Sequence, residues 1–96
     1  MNNVIMVGRI TEINIDKTKN TAELTLAVTR NFKNAEGIYE TDFIPCKLWS
    51  AVFSNSIEYL YEGDVVGVKG RLQSFEDKTI SVIADRITFL KSKSSS

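Results

Sequence analysis

Two segments of the sequence place aromatic and basic residues on the same side of an extended chain. Successive side chains of a strand point to opposite faces, so residues two apart share a face. Alternation turns Ile44, Cys46 and Leu48 of the first segment, and Val66, Val68 and Leu72 of the second, toward the interior, as it does Leu24, Leu26 and Val28 in an earlier segment. The outward sets are Phe43, Pro45, Lys47 and Trp49 in the first segment, and Lys69, Arg71, Gln73 and Phe75 in the second. Their rings can stack on other planar groups, and their cations can pair with anions.

Such a surface is typical of proteins that bind single-stranded nucleic acid. Every nucleobase has a flat π-face, and stacking on an aromatic side chain contributes roughly 1–3 kcal/mol per base. Lysine and arginine beside the rings would contact phosphates, so binding would weaken as salt rises. Simpler explanations stay open, because outward aromatics often pack in oligomer interfaces and surface lysines are usually only solvated.

Composition argues against catalysis and metal binding. The sequence has no histidine and a single cysteine, Cys46, which we expect to be a small buried hydrophobe. Zinc sites built on Cys or His, intrachain disulfides and an imidazole base are therefore excluded. We predict a protein that is not an enzyme and needs no metal or cofactor. Twelve basic residues balance twelve acidic ones, so only the placement of charge can indicate a ligand.

Length and composition predict one globular domain. The chain has 96 residues, of which 43% are hydrophobic and 25% charged. No apolar run approaches the ~20 residues of a transmembrane helix, and no signal peptide is visible. We expect a cytoplasmic protein without a membrane partner. Residues 1–90 are the predicted domain, and residues 91–96 are a predicted disordered Ser/Lys tail.

Turn residues divide the chain into five segments rich in Val, Ile, Thr and Phe. The predicted strands are residues 3–13, 21–32, 39–49, 64–75 and 79–90. Apolar residues at helical spacing predict a helix from Ala51 to Glu62, which Gly63 would end. So short a chain of strands must close to hide its edges. The predicted fold class is all-β with one short helix, namely the five-stranded Greek-key barrel of the OB-fold.

The first predicted strand is apolar on both faces. Val4 and Met6 lie on one face, and Ile5 and Val7 lie on the other. Since a barrel wall buries one face, the second apolar face predicts a partner subunit. Burial beneath the helix is the alternative.

Several short segments resemble the bacterial single-stranded DNA-binding proteins, the SSB family, over nearly the whole chain. These segments are NNVIMVGR at residues 2–9, LAVTRNF at 26–32, TDFIPCKLW at 41–49 and EYLYEGDVVGVKGRL at 58–72. Each is weak alone, but their order and spacing are specific. The resemblance implies sequence-independent binding and protection of single-stranded DNA in replication, recombination or repair.

The resemblance also implies roles for individual residues. The base-stacking aromatics would be Phe32, Phe43, Trp49 and Phe75. The basic residues at the DNA backbone would be Arg9, Arg30, Lys33, Lys47, Lys69 and Arg71. Family members form homotetramers from dimers joined at the first strand, which suits Val4, Ile5, Met6 and Val7. A dimer remains open, and replication or repair proteins are candidate partners.

The sequence departs from the family in three places. The link at residues 13–21 and the hairpin at 76–78 are short, and the chain that ends at Ser96 lacks the family's acidic C-terminal tip. Both short loops would normally embrace DNA. An alternative of another class is therefore a dimeric OB-fold adaptor resembling primosomal replication protein N, which docks replication proteins and binds DNA weakly.

Overall fold

A computed structural model describes residues 1–49 and 60–92 of the chain. These residues form five strands: β1 (Val4–Asp16), β2 (Thr21–Lys33), β3 (Tyr39–Trp49), β4 (Val65–Ser74) and β5 (Ile80–Lys91). The strands close into a barrel in the order β1-β2-β3-β5-β4. Only the β3–β5 pairing is parallel among these strands. The described residues thus have the closed five-stranded architecture that the sequence predicted.

All five predicted strands are present, with bounds that differ by at most three residues. The predicted helix falls largely on residues 50–59, which lie outside the described part of the chain, so it stays a prediction. At its predicted end, Gly63 has the expected left-handed backbone, with φ of +98°. Lys91, the first residue of the predicted tail, belongs to β5. Residues 93–96 lie outside the described ranges, so the disorder predicted for them stays untested.

Alternate residues of the strands fill the barrel interior. The predicted inward residues of β2, β3 and β4 that are fully buried are Leu24, Leu26, Cys46, Leu48, Val66 and Val68. Burial, followed by the nearby Glu23 carboxylate, raises the pKa of the Cys46 thiol to about 12. The thiol is therefore protonated at neutral pH and acts as a small apolar side chain.

Leu72 of β4 is predicted to face inward with Val66 and Val68, yet it is 48% exposed. In the β4–β5 register Leu72 stands opposite Val82, which is buried, so the two side chains lie on the same face of the sheet. The register shifts between Lys69 and Gly70, but the extra residue lies on β5 and leaves the alternation of β4 unchanged. Alternation therefore gives the face of Leu72 but not its depth of burial near the end of the strand.

Gly70 is required by the close approach of β4 and β5. A Cβ atom at this position would overlap the backbone carbonyl oxygen of Ile83, which cannot move without disturbing the ladder. Gly67 lies on the same strand but has room for a Cβ atom, which would make only ordinary van der Waals contact with its nearest neighbour, Leu90 Cδ1, at 3.8 Å. The two glycines of β4 therefore have different roles.

We predict that Gly70→Ala lowers the free energy of unfolding by about 1–3 kcal/mol, because overpacking forces the strands apart. Gly67→Ala is the matched control and should change it by less than about 1 kcal/mol. Urea denaturation at one fixed protein concentration measures both. Equal effects of the two substitutions would contradict the assigned backbone contact.

Candidate nucleic-acid interface

A cleft of about 550 Å³ opens on the outer side of β2 and β3. Lys19 of the β1–β2 turn and Phe75, just beyond the end of β4, both line it. Lys47 and Trp49 of β3 also line it. Trp49 additionally borders a recess of about 240 Å³ that contains Arg71. The indole therefore lies where the two concavities meet.

The two turns that frame the cleft are fixed by side-chain hydrogen bonds. Asp16 Oδ1 accepts hydrogen bonds from the backbone N–H groups of Thr18 and Lys19, at 3.0 and 3.1 Å. Asp77 Oδ1 accepts hydrogen bonds from the hydroxyl and the backbone N–H of Thr79, at 2.7 and 3.1 Å. These bonds with Thr79 hold the pKa of Asp77 below its ordinary value. Both turns are short and hydrogen-bonded, as Asx-type turns are.

Lys47 and Phe75 contact each other across the cleft. The Lys47 Nζ atom lies 4.1 Å from the centroid of the Phe75 ring, within the range of a cation–π interaction. Lys47 stands opposite Glu23 of β2 in the strand register, and both residues line the cleft. The contact fixes the half-buried ring of Phe75 next to the basic group.

Phe43 lies nearer the start of β3, on the same outer side. In the strand register, Phe43 stands opposite Ala27 of β2, and Ala27 stands opposite Arg9 of β1. The small Ala27 side chain leaves the Phe43 ring 65% exposed. The Arg9 guanidinium donates a hydrogen bond to the carbonyl oxygen of Gly63.

Arg30 is held in ion pairs with β3. Its Nη2 atom lies 2.8 Å from Asp42 Oδ1, and its Nη1 atom lies 3.2 Å from Glu40 Oε1. The hydrogen bond to Asp42 raises the pKa of Arg30 and lowers the pKa of Asp42. Because the carboxyl pKa is depressed by folding, the pair stabilises the protein at neutral pH and loses this effect as pH falls through the folded-state pKa.

Phe32 and Lys33 lie near the tip of the β2–β3 hairpin, and Phe32 is exposed. The Lys33 Nζ atom lies 5.7 Å from the centroid of the Tyr39 ring on the paired strand. Sequence reasoning missed Tyr39, although it follows the same period-two pattern as Phe43. It also missed Lys19, because a lone lysine in a turn carries no signal of the cleft beside it.

Lys69 lies on a different outer surface, formed by β1, β4 and β5. It stands opposite Ile5 and Arg86 in the two flanking strands. Ile5 is 78% exposed and Val7 is 55% exposed, whereas Val4 and Met6 pack against the core. The predicted separation of β1 into two apolar faces is confirmed. A groove of about 240 Å³ runs along this surface.

The predicted site residues therefore fall into four groups. Lys47, Trp49, Phe75 and Arg71 line the cleft or its adjoining recess. Arg9 and Phe43 share one cross-strand row. Arg30, Phe32 and Lys33 belong to the outer half of the β2–β3 hairpin. Lys69 is apart from all of them, because β4 presents it beside Ile5.

A closed five-stranded barrel with an aromatic and basic outer cleft is an architecture that OB-fold proteins use to bind single strands. The sequence profile of the single-strand binding protein family matches residues 1–90. The chain belongs to this family. Because the family binds DNA without catalysing a reaction, the prediction that the protein is not an enzyme is confirmed.

Relatives match the chain over almost its whole length. Single-stranded DNA-binding protein B of Bacillus subtilis (strain 168) is 38% identical over 104 positions, which cover 96% of this chain and 92% of that protein. Single-stranded DNA-binding protein 1 of Staphylococcus aureus (strain Mu50) is 40% identical over 107 positions, covering 99% of this chain and 69% of that protein. Both alignments exceed the 96 residues of the chain, so the relatives carry residues that it lacks.

Two solved structures share the fold. A Plasmodium falciparum SSB in complex with ssDNA has a TM-score of 0.70 and 18% identity, and the match covers 95% of this chain and 96% of that one. The dimeric N-terminal domain of a PriB protein from Thermoanaerobacter tencongensis has a TM-score of 0.66 and 21% identity, with 93% and 96% covered. Within residues 1–49 and 60–92, no helix has the length and apolar character to cross a membrane.

Proposed function

We propose that the protein binds single-stranded DNA without sequence preference and protects it during replication, recombination or repair. The observation that carries this proposal is the cleft in which Lys47, Trp49 and Phe75 meet. Bases would stack on the exposed rings, and phosphates would follow the cations beside them. Relatives named as single-stranded DNA-binding proteins, at 38–40% identity, support the same ligand.

The geometry favours single strands over duplexes. Stacking on Trp49 or Phe43 needs the flat face of a base, which a duplex hides between neighbouring base pairs. The rings lie at separate points along β3, so successive unstacked bases could reach them in turn. An unpaired strand can also bend over the convex barrel wall at little cost.

Charge in the cleft is mixed, which limits the electrostatic contribution. Lys19 and Lys47 share the cleft with Asp16 and Glu23, and Arg71 lies in the adjoining recess. Three phosphate contacts would give a slope of log K against log salt of about −2 for a single strand. We therefore expect stacking to contribute a large share of the affinity.

Titration with oligo-deoxythymidylate should quench the fluorescence of Trp49, the only tryptophan of the chain. We predict saturable quenching that weakens as salt rises, because base stacking and phosphate contact occur together. Phe43→Ala leaves the reporter intact and should weaken binding about fivefold or more, since one stacked base is lost. Thr88→Ala, in β5 on the β1–β4–β5 surface, is the control. Unchanged affinity in Phe43→Ala would exclude stacking at that ring.

Lys47 and Lys69 offer a matched comparison of the two outer surfaces. Lys47→Ala should reduce the magnitude of the slope of log K against log salt by about 0.7, the value for one phosphate contact on a single strand. Lys69→Ala should leave the slope unchanged, because Lys69 lies beside Ile5 and Arg86. Binding isotherms at four or more salt concentrations measure both slopes. If Lys69→Ala changed the slope more than Lys47→Ala, the strand would bind on the β1–β4–β5 surface and the proposed cleft would be wrong.

We also propose that the protein forms a homo-oligomer, a dimer or a tetramer, through the β1–β4–β5 surface. Ile5 and Val7 expose aliphatic side chains beside a shallow groove, which is typical of a subunit contact. Family membership supports an assembly of this kind. We place the protein in the cytoplasm and regard replication or repair proteins as candidate partners.

Val7→Glu should lower the molar mass of the assembly, because a carboxylate would be buried without a partner in the subunit contact. Light scattering coupled to size-exclusion chromatography measures this mass at micromolar concentration. Thr41→Glu adds the same charge on β3 and should leave the mass unchanged. A monomeric wild type, or an unchanged mass in Val7→Glu, would contradict this assignment.

A second candidate is the adaptor function of a primosomal protein that binds DNA weakly. Its support is the shortness of the hydrogen-bonded turns at residues 17–20 and 75–79, which offer little surface to enclose a strand. The same Trp49 titration separates the candidates. Binding that fails to saturate at low salt would favour the adaptor.

A further inference from the structure

The outer half of the β2–β3 hairpin lacks regular strand pairing. Thr29 pairs with Thr41, and the next registered pair is Lys33 with Tyr39. Between them, the three residues 30–32 of β2 stand opposite Glu40 alone. Phe32 lies within this irregular stretch. The regular ladder therefore does not fix the backbone that carries this exposed aromatic ring.

Arg30 supplies a side-chain connection across this irregular stretch. Its Nε atom lies 3.1 Å from Asp42 Oδ2 and 3.3 Å from Oδ1, while Nη2 lies 2.8 Å from Oδ1. Nη1 reaches Glu40 Oε1 at 3.2 Å. The planar guanidinium fork thus spans two carboxylates of β3, a geometry that a lysine ammonium cannot reproduce.

The tip of the hairpin is held independently. The Asn34 N–H donates to the Ile38 carbonyl at 2.8 Å, and Asn34 Oδ1 accepts from the N–H groups of Glu36 and Ile38 at 2.9 and 3.0 Å. The Arg30 ion pairs precede Phe32, and this turn follows it. Phe32 therefore lies between two fixed points of the chain, namely Arg30 with its ion pairs and the hydrogen-bonded turn at Asn34.

The same ion pairs make Arg30 a poor contact for phosphate. One cation faces two carboxylates, so an approaching phosphate would meet net negative charge and would have to displace both. We infer that Arg30 is a positioning residue that holds Phe32 ready to stack on a base, and not a residue that contacts the DNA backbone. This inference rests on the proposed function and replaces the phosphate role that the family resemblance implied for Arg30.

Three substitutions separate the two roles in titrations with oligo-deoxythymidylate followed through Trp49. Arg30→Lys keeps the charge but loses the fork, and it should weaken binding about fivefold, as Arg30→Gln should. Asp42→Asn should also weaken binding, with the salt slope unchanged in all three. A phosphate contact gives the opposite pattern: Arg30→Lys binds normally, and Asp42→Asn binds more tightly because it frees the cation.

A Phe32→Ala background provides the specific control. Adding Arg30→Lys to Phe32→Ala should cause no further loss, because the ring that Arg30 positions is already absent. A general folding defect would instead weaken both backgrounds equally. Thermal unfolding of each variant identifies such a defect directly.

A measurement without DNA keeps this inference distinct from the proposed function. The ¹H–¹⁵N heteronuclear NOE should fall at residues 31–32 in Arg30→Lys and stay constant at residues 24–28 of the core strand. If the wild type fails to bind DNA, the proposed function is wrong, and the NOE still tests the positioning role. An unchanged NOE at residues 31–32 would overturn that role.

Discussion

Closure of the barrel between β3 and β5 is the constraint on which the outer cleft depends. The two strands run parallel and share two registered pairs, Cys46 with Val82 and Lys47 with Ile83. Cys46 and Val82 are buried, so the alternation of β3 turns Lys47 toward the outer side of the seam. The β4–β5 turn delivers Phe75 to this same seam, where the ring meets the Lys47 ammonium. Closure also gives every strand a neighbour on each side, so no described strand is an edge strand along its whole length.

The closed wall then separates the outward residues into two surfaces. The β2–β3 side carries aromatic rings and cations suited to a single strand, whereas the β1–β4–β5 side carries aliphatic groups suited to another subunit. Lys69 and Lys47 show that residue type alone does not decide a role, because one stands beside Ile5 and the other beside Phe75. For a chain with no net charge, this placement determines where a polyanion can bind.

Period-two patterning predicted the five strands, the buried faces of β2 and β3, and the outward positions of Phe43 and Trp49. It did not predict that Leu72 is exposed, because alternation gives the face of a strand and not the depth of burial near the end of the strand. Patterning also could not show that Lys69 lies outside the cleft, because alternation gives the face of a strand but not which strands lie beside it. The ion pairs of Arg30 were missed because Glu40 and Asp42 are distant in sequence and read as ordinary surface acids.

Photo-crosslinking of an oligo-deoxythymidylate, followed by mass spectrometry of the joined peptides, tests most directly which surface holds the strand. Adducts should form at Phe43, Trp49 or Phe75, because thymine must lie against these rings to stack. Peptides that contain Ile5, Val7 or Lys69 should remain unmodified. Adducts confined to the β1–β4–β5 surface, from an oligonucleotide that binds saturably, would contradict binding in the cleft.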